Sequence, residues 1–140
     1  MLQLEVFAAA PVPPAALWAL VGDLARLPEW TSATTVADLP AEPALGATFT
    51  TRQDGETLVW TLITVEPQLL EAKADTACGR VGIGARVVPD PAGSRLILAG
   101  MLRPTVGAVR ARLVEGPRLR RRFDEWCAAA VRIATRAAGT

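Results

Sequence analysis

The sequence has no histidine and no tyrosine, a single lysine and two cysteines in 140 residues. Without imidazole there is no Ser–His triad, no Cys–His dyad and no histidine-based zinc site, and phenol chemistry is missing as well. Ser32 and Ser94, the two serines, have no histidine to activate them. Cys78 and Cys127 form no Cys-x-x-Cys pair, so neither a disulfide framework nor a zinc ribbon has support, and both read as buried thiols. No metal and no organic cofactor is expected. The uncharged stretch between Glu5 and Asp23 is broken by Pro11, Pro13 and Pro14 and has no basic leader, so neither a membrane span nor a secretion signal is expected. The cytoplasm is the expected compartment. Lys73 stands alone among fifteen basic residues, and richness in Arg, Ala and Pro is the composition of a GC-rich bacterial genome.

What is present is apolar: 51% hydrophobic residues against 21% charged, with a net charge of +1, the balance of a globular chain able to bury a core. The charge is unevenly placed. Residues 1–102 carry six basic and eleven acidic side chains, a net −5, whereas residues 103–140 carry nine arginines and three acids, a net +6. Arg118-Leu119-Arg120-Arg121-Arg122 could mark a nucleic-acid patch, but Asp124 and Glu125 follow at once and no aromatic interleaves the arginines to stack bases. The run reads as the solvated face of a helix, with Arg121 and Glu125 as an ion pair four residues apart and no nucleic-acid partner.

No linker or repeat divides residues 1–140, which read as one domain. Leu2, Leu4 and Val6 alternate with Gln3 and Glu5, the period of a half-buried strand. Pro13-Pro14 suits a helix entry, and Leu17, Leu20, Val21 and Leu24 follow at helical spacing. Asp23 caps a second short helix that Pro28 is expected to end. Strands are then expected at 33–39, 47–52, 56–66, 69–76, 80–88 and 94–103, separated by turn residues such as Asp54-Gly55 and 89–93. Gly79, Gly82 and Gly84 lack the order of a dinucleotide fingerprint and read as a bend or bulge. After a looser helical stretch from Thr105, Gly116-Pro117 opens a long helix striped by Leu119, Phe123, Trp126, Ala130 and Ile133. The class is α+β: a seven-stranded antiparallel sheet, two short helices after the first strand, and one long helix to cover the inner face.

The stretch LWALVGDLARLPEW from Leu17 to Trp30, Leu45-Gly46, VWTLITVEP from Val59 to Pro67, Gly93-Ser94-Arg95-Leu96 and the closing helix occur in the order found in the SRPBCC superfamily. The chain resembles its helix-grip proteins, the START lipid-transfer domains and birch-pollen-allergen-like proteins, and most of all the bacterial polyketide cyclase/dehydrase branch. That resemblance implies a curved sheet wrapped around the C-terminal helix and a ligand cavity between them.

Strand parity assigns the faces. Phe49 and Thr51 should face inward, as should Leu58, Trp60 and Leu62, with Leu70, Ala72, Ala74 and Thr76 next, then Val81, Ile83 and Ala85. Arg52, Lys73, Arg80, Arg86 and Arg95 then face solvent, unless a one-residue bulge turns Arg52 or Arg86 inward. With Trp30, Phe123, Trp126 and Ala130 these side chains would line the cavity, Thr31 and Glu56 standing near its mouth. Trp60 and Trp126 either border that space or meet and fill it. The expected ligand is a small hydrophobic molecule, a lipid, isoprenoid or polyketide fragment, bound by a monomer or homodimer. The alternative is a cofactor-independent cyclase, aromatase or dehydratase acting in the same cavity, with Glu56, Glu29 or a re-registered arginine as its polar group.

Overall fold

The computed structural model describes residues 2–77, 79–104 and 116–139. Strand β1 (Leu2–Ala10) leads into α1 (Pro14–Val21), a 3-10 turn (Leu24–Arg26) and α2 (Leu27–Trp30). Six strands follow, β2 (Ala33–Ala37), β3 (Thr48–Gln53), β4 (Glu56–Glu66), β5 (Leu69–Thr76), β6 (Gly79–Asp90) and β7 (Gly93–Pro104), and then α3 (Gly116–Ala138). All pairings are antiparallel in one sheet of order β1-β7-β6-β5-β4-β3-β2. Consecutive strands are neighbours, and only β1 crosses over, to pair with the last strand.

Pro14 sits in the first turn of α1, where a missing N–H costs nothing. Asp23 caps as expected, its Oδ1 accepting from the Ala25 N–H at 3.1 Å, but it caps the 3-10 turn. Pro28 does not end a helix. It lies in the first turn of α2, which stops two residues later where Thr31 turns its hydroxyl onto the Leu27 carbonyl. No bulge falls at Gly79, Gly82 or Gly84, because β6 keeps unbroken register with both neighbours. The irregularities fall at Ala33/Thr35 on β2 and Leu62/Thr64 on β4. The β6–β7 turn is tighter than expected: pairing runs to Asp90 and Gly93, leaving Pro91-Ala92 as the connection. Asp90 stabilises it by accepting from the Ala92 N–H at 3.0 Å and from Arg95 Nη2 at 2.7 Å. These bonds, the backbone one foremost, hold the Asp90 carboxyl below its ordinary range, so its contribution to stability is present above that range and lost as pH falls through the lowered value.

The buried side chains form two bodies. One joins α1, α2 and α3 to β1, β6 and β7 around Leu17, Leu20, Leu96, Leu98, Phe123 and Trp126. The other lines β3 to β5 with Phe49, Leu58, Trp60, Leu62, Ala72 and Ala74, and extends to Val81 and Leu102. Helix α3 therefore covers mainly the β1 side of the sheet, and a seam is left over β3–β5. The looser helical stretch expected from Thr105 lies outside the described residues, as does Cys78.

Candidate ligand-binding site

A pocket of about 90 Å³ lies along this seam. From the first body it is bordered by Val21, Trp30, Leu98 and Trp126, from the second by Phe49, Thr51, Trp60, Leu62 and Ala72, and between them by Leu24, Leu27, Ile83 and Ala85. A second pocket of about 460 Å³ opens beside it, bordered by Leu58, Thr76, Val81, Leu102 and Leu119 and rimmed by Asp54, Glu56, Arg118 and Arg122. The two adjoin at Gln53, Trp60, Ile83 and Trp126; the first, bordered mainly by apolar side chains under α2, is termed the inner chamber, and the second, with charged residues on its border, the outer one.

Strand parity in this region matches the structure. Trp60 is 5% exposed and Leu62 1%, whereas Val59, their neighbour on the other face, is 58% exposed. Arg86 is exposed, and Arg52 is exposed and bonds Thr57 Oγ1 at 3.2 Å, so neither arginine enters the inner chamber. Glu71 borders that chamber, but its side chain lies over Gly84 on the outer face of the sheet. Glu29 points away into an exposed pair with Arg26 at 2.7 Å, which holds its carboxyl below the usual range. Glu56 stands at the outer rim with its Oε1 accepting from the Ala77 N–H at 2.7 Å.

The indoles are individually anchored. Trp60 donates from Nε1 to the buried Thr51 hydroxyl at 2.8 Å and stacks on Phe49, with ring centroids 6.5 Å apart. Trp126 donates to Ser32 Oγ at 3.0 Å and stacks on Phe123 at 5.3 Å. Each thus rests on its own neighbours, and both border the two pockets. Trp30 Nε1 is buried with no hydrogen-bond partner among the described residues.

Three residues expected on the cavity wall lie in solid core. Phe123 and Ala130 are fully buried under α3, and Ala74 packs within the β3–β5 body. The Phe123 ring fills the space that Gly100 leaves bare, so it props α3 off the sheet instead of facing a void. Conversely, Val21, Leu24, Leu27 and Gln53 border the inner chamber without having been marked by strand parity, and Leu98, on the face of its strand opposite Arg95 and Arg103 as parity places it, joins them. Helical spacing flagged the first two as buried, but not which space they face.

Cys127 lies in the core, where burial, with the Asp124 carboxylate adding to it, pushes its thiol up to about 12. At neutral pH it holds no thiolate to act as nucleophile or metal ligand. In a Cys78→Ser background, iodoacetamide at about pH 8 should leave Cys127 unmodified in the native protein and label it fully in denaturant, as read by mass shift. Rapid labelling of the native protein would contradict the burial. Among the described residues, no group of three or more Cys, Asp or Glu stands close enough to hold a metal ion, and no helix is long and apolar enough to cross a membrane.

A seven-stranded curved sheet gripping a long C-terminal helix defines the helix-grip fold of the SRPBCC superfamily. Residues 1–136 match the polyketide cyclase/dehydrase and lipid transport family, and the chain belongs to that family. No curated protein sequence matches it. Solved structures resemble it at low identity. A Thermobifida fusca protein has a TM-score of 0.78 at 21% identity, over 97% of this chain and 95% of its own. Ara h 8.0201 has 0.73 at 15%, over 95% and 97%. DynU16, described as a putative protein in the dynemicin biosynthetic locus, has 0.72 at 18%, over 93% of this chain and 46% of its own.

Proposed function

We propose that the protein binds a small apolar or aromatic molecule, such as a lipid, isoprenoid or polyketide-like compound, between the sheet and α3. The observation that carries this reading is the seam between the two core bodies, where apolar side chains border open space and Trp60 and Trp126 turn their N–H groups onto internal partners. A filled core would close such a seam, since protein interiors pack to crystal-like density with few voids. At about 90 Å³ the inner chamber is small against the roughly 300–1,000 Å³ of typical ligand sites. A ligand larger than a single ring would extend past Trp60, Ile83 and Trp126 into the outer chamber, which these side chains also border.

The second reading, a cyclase or dehydratase acting in the same space, is favoured by the family and by one feature of the outer chamber. Among the described residues, the acids and bases bordering either pocket with side chains on the inner side are Asp54, Glu56, Arg118 and Arg122 at that rim, so proton transfer by these groups would take place there and not beside the inner chamber.

The binding reading is tested with N-phenyl-1-naphthylamine, an apolar probe that fluoresces on leaving water. Burying about 300 Å² of it at roughly 25 cal/mol per Å² is worth several kcal/mol before association costs, enough for micromolar binding. Saturable binding with quenching of tryptophan emission is expected, weakened about fivefold or more by Trp60→Ala and unchanged by Arg86→Ala. No saturable binding, or equal losses in the two variants, would overturn it.

A further inference from the structure

The outer chamber has a polarity that the inner one lacks. Arg118 and Arg122 lie four residues apart on one face of α3, and both border the pocket. Of the two carboxylates on the same rim, Asp54 is already engaged by Arg122 Nη1 at 2.6 Å, and Glu56 accepts from the Ala77 N–H at 2.7 Å. The Arg118 guanidinium has no hydrogen-bond or ion-pair partner among the described residues. Each guanidinium has five N–H donors in a planar fork, so the rim holds donor capacity well beyond what its acceptors consume. Residues 116–122 carry four arginines and no acid. Behind this rim the walls are Leu58, Trp60, Val81, Ile83, Leu102 and Trp126.

We infer that the ligand is an amphiphilic anion, its apolar body lodged past Trp60 and Trp126 and its single carboxylate, sulfonate or phosphate ester held at the rim by Arg118, with Arg122 beside it. This rests on the binding reading above and adds which end of the ligand faces out and with what charge. A guanidinium matches an oxyanion with two parallel hydrogen bonds, and the apolar walls behind it reject the charged end, so the ligand enters in one orientation. The Arg122–Asp54 pair ties the β3–β4 turn to α3 across 68 positions and keeps Arg122 at the rim whether or not an anion is present.

Two probes with the same apolar body separate the charge from the cavity: N-phenyl-1-naphthylamine, which is neutral, and 8-anilinonaphthalene-1-sulfonate, which carries a sulfonate. At low ionic strength the sulfonate is expected to bind about tenfold more tightly, and the advantage should shrink as salt is raised, as for a partly exposed charge contact. Arg118→Gln should reduce the advantage to about twofold with the neutral probe unaffected. Arg132→Gln, on an exposed part of α3 away from either pocket, should leave both affinities as they are. Binding of the neutral probe with no sulfonate advantage, or an advantage that survives Arg118→Gln, would overturn the inference and leave the cavity reading standing. If neither probe binds saturably, the cavity reading itself fails and the inference with it.

Discussion

Replacing Phe123 with alanine is expected to lower the free energy of unfolding by about 3–5 kcal/mol, the range for large aromatic truncations in a packed core. The ring is fully buried, stacks on Trp126 and lies directly over Gly100 of β7. A Cβ at position 100 would approach Phe123 Cε2 to 2.6 Å and Cζ to 2.8 Å, far inside contact distance, so the fully buried ring would have to shift. Gly100→Ala alone should therefore cost about 1–3 kcal/mol by overpacking. Combined with Phe123→Leu, which removes ring volume at the same place, Gly100→Ala should cost less than it does in the wild-type background. Chemical denaturation of the four proteins in a double-mutant cycle gives the coupling directly. Additive losses would show that Gly100 and Phe123 do not set the spacing between α3 and the sheet.

Gly93→Ala is the second large effect, expected at roughly 2–5 kcal/mol from backbone strain and overpacking together. Gly93 has φ +141, and a Cβ there would meet the Val12 carbonyl at 2.7 Å, the Ala10 carbonyl at 2.8 Å and the Val12 nitrogen at 2.8 Å. All three are backbone atoms at the end of β1 and in the link to α1, so no side chain can rotate out of the way. That link delivers α1, whose Val21 borders the inner chamber, which makes the glycine a positioning element for the site. Gly55→Ala serves as the control, because Gly55 has φ +74 with nothing within 4 Å of its Cβ and should lose only the about 1–2 kcal/mol of a left-handed backbone. Equal losses at positions 55 and 93, measured by denaturant melts, would remove the close approach from the account.

Much of this architecture is legible in the sequence for identifiable reasons. The inward faces of β3 to β7 follow from alternation, because charges such as Lys73, Arg80, Arg86 and Arg95 fall on one parity and cannot be buried unpaired at low cost. The stripe on α3 follows equally from its helical period. Parity fixes a face but not a depth, which is why Phe123, Ala74 and Ala130 read as cavity wall although they are core. Nor does periodicity reveal partners far apart in the chain: the Trp126–Ser32 bond spans 94 positions and the Arg122–Asp54 pair 68, whereas the Arg121–Glu125 pair expected from local spacing is not formed among the described residues. The contributions of Leu24 and Leu27 to the inner chamber depend on how a 3-10 turn and a four-residue helix fold back over the sheet, which no short-range pattern encodes.

The central claim, that a ligand occupies the seam beside Trp60 and Trp126, is tested most directly by nuclear magnetic resonance of the four indole N–H groups during titration with N-phenyl-1-naphthylamine. Trp30, Trp60 and Trp126 border the inner chamber, whereas Trp18 lies against Gly22 in a separate surface depression and serves as an internal control. The expected result is saturable shifts of the Trp30, Trp60 and Trp126 signals with one common dissociation constant while Trp18 stays fixed. Binding that moves Trp18 and leaves the other three unmoved would place the ligand outside the seam and contradict the account.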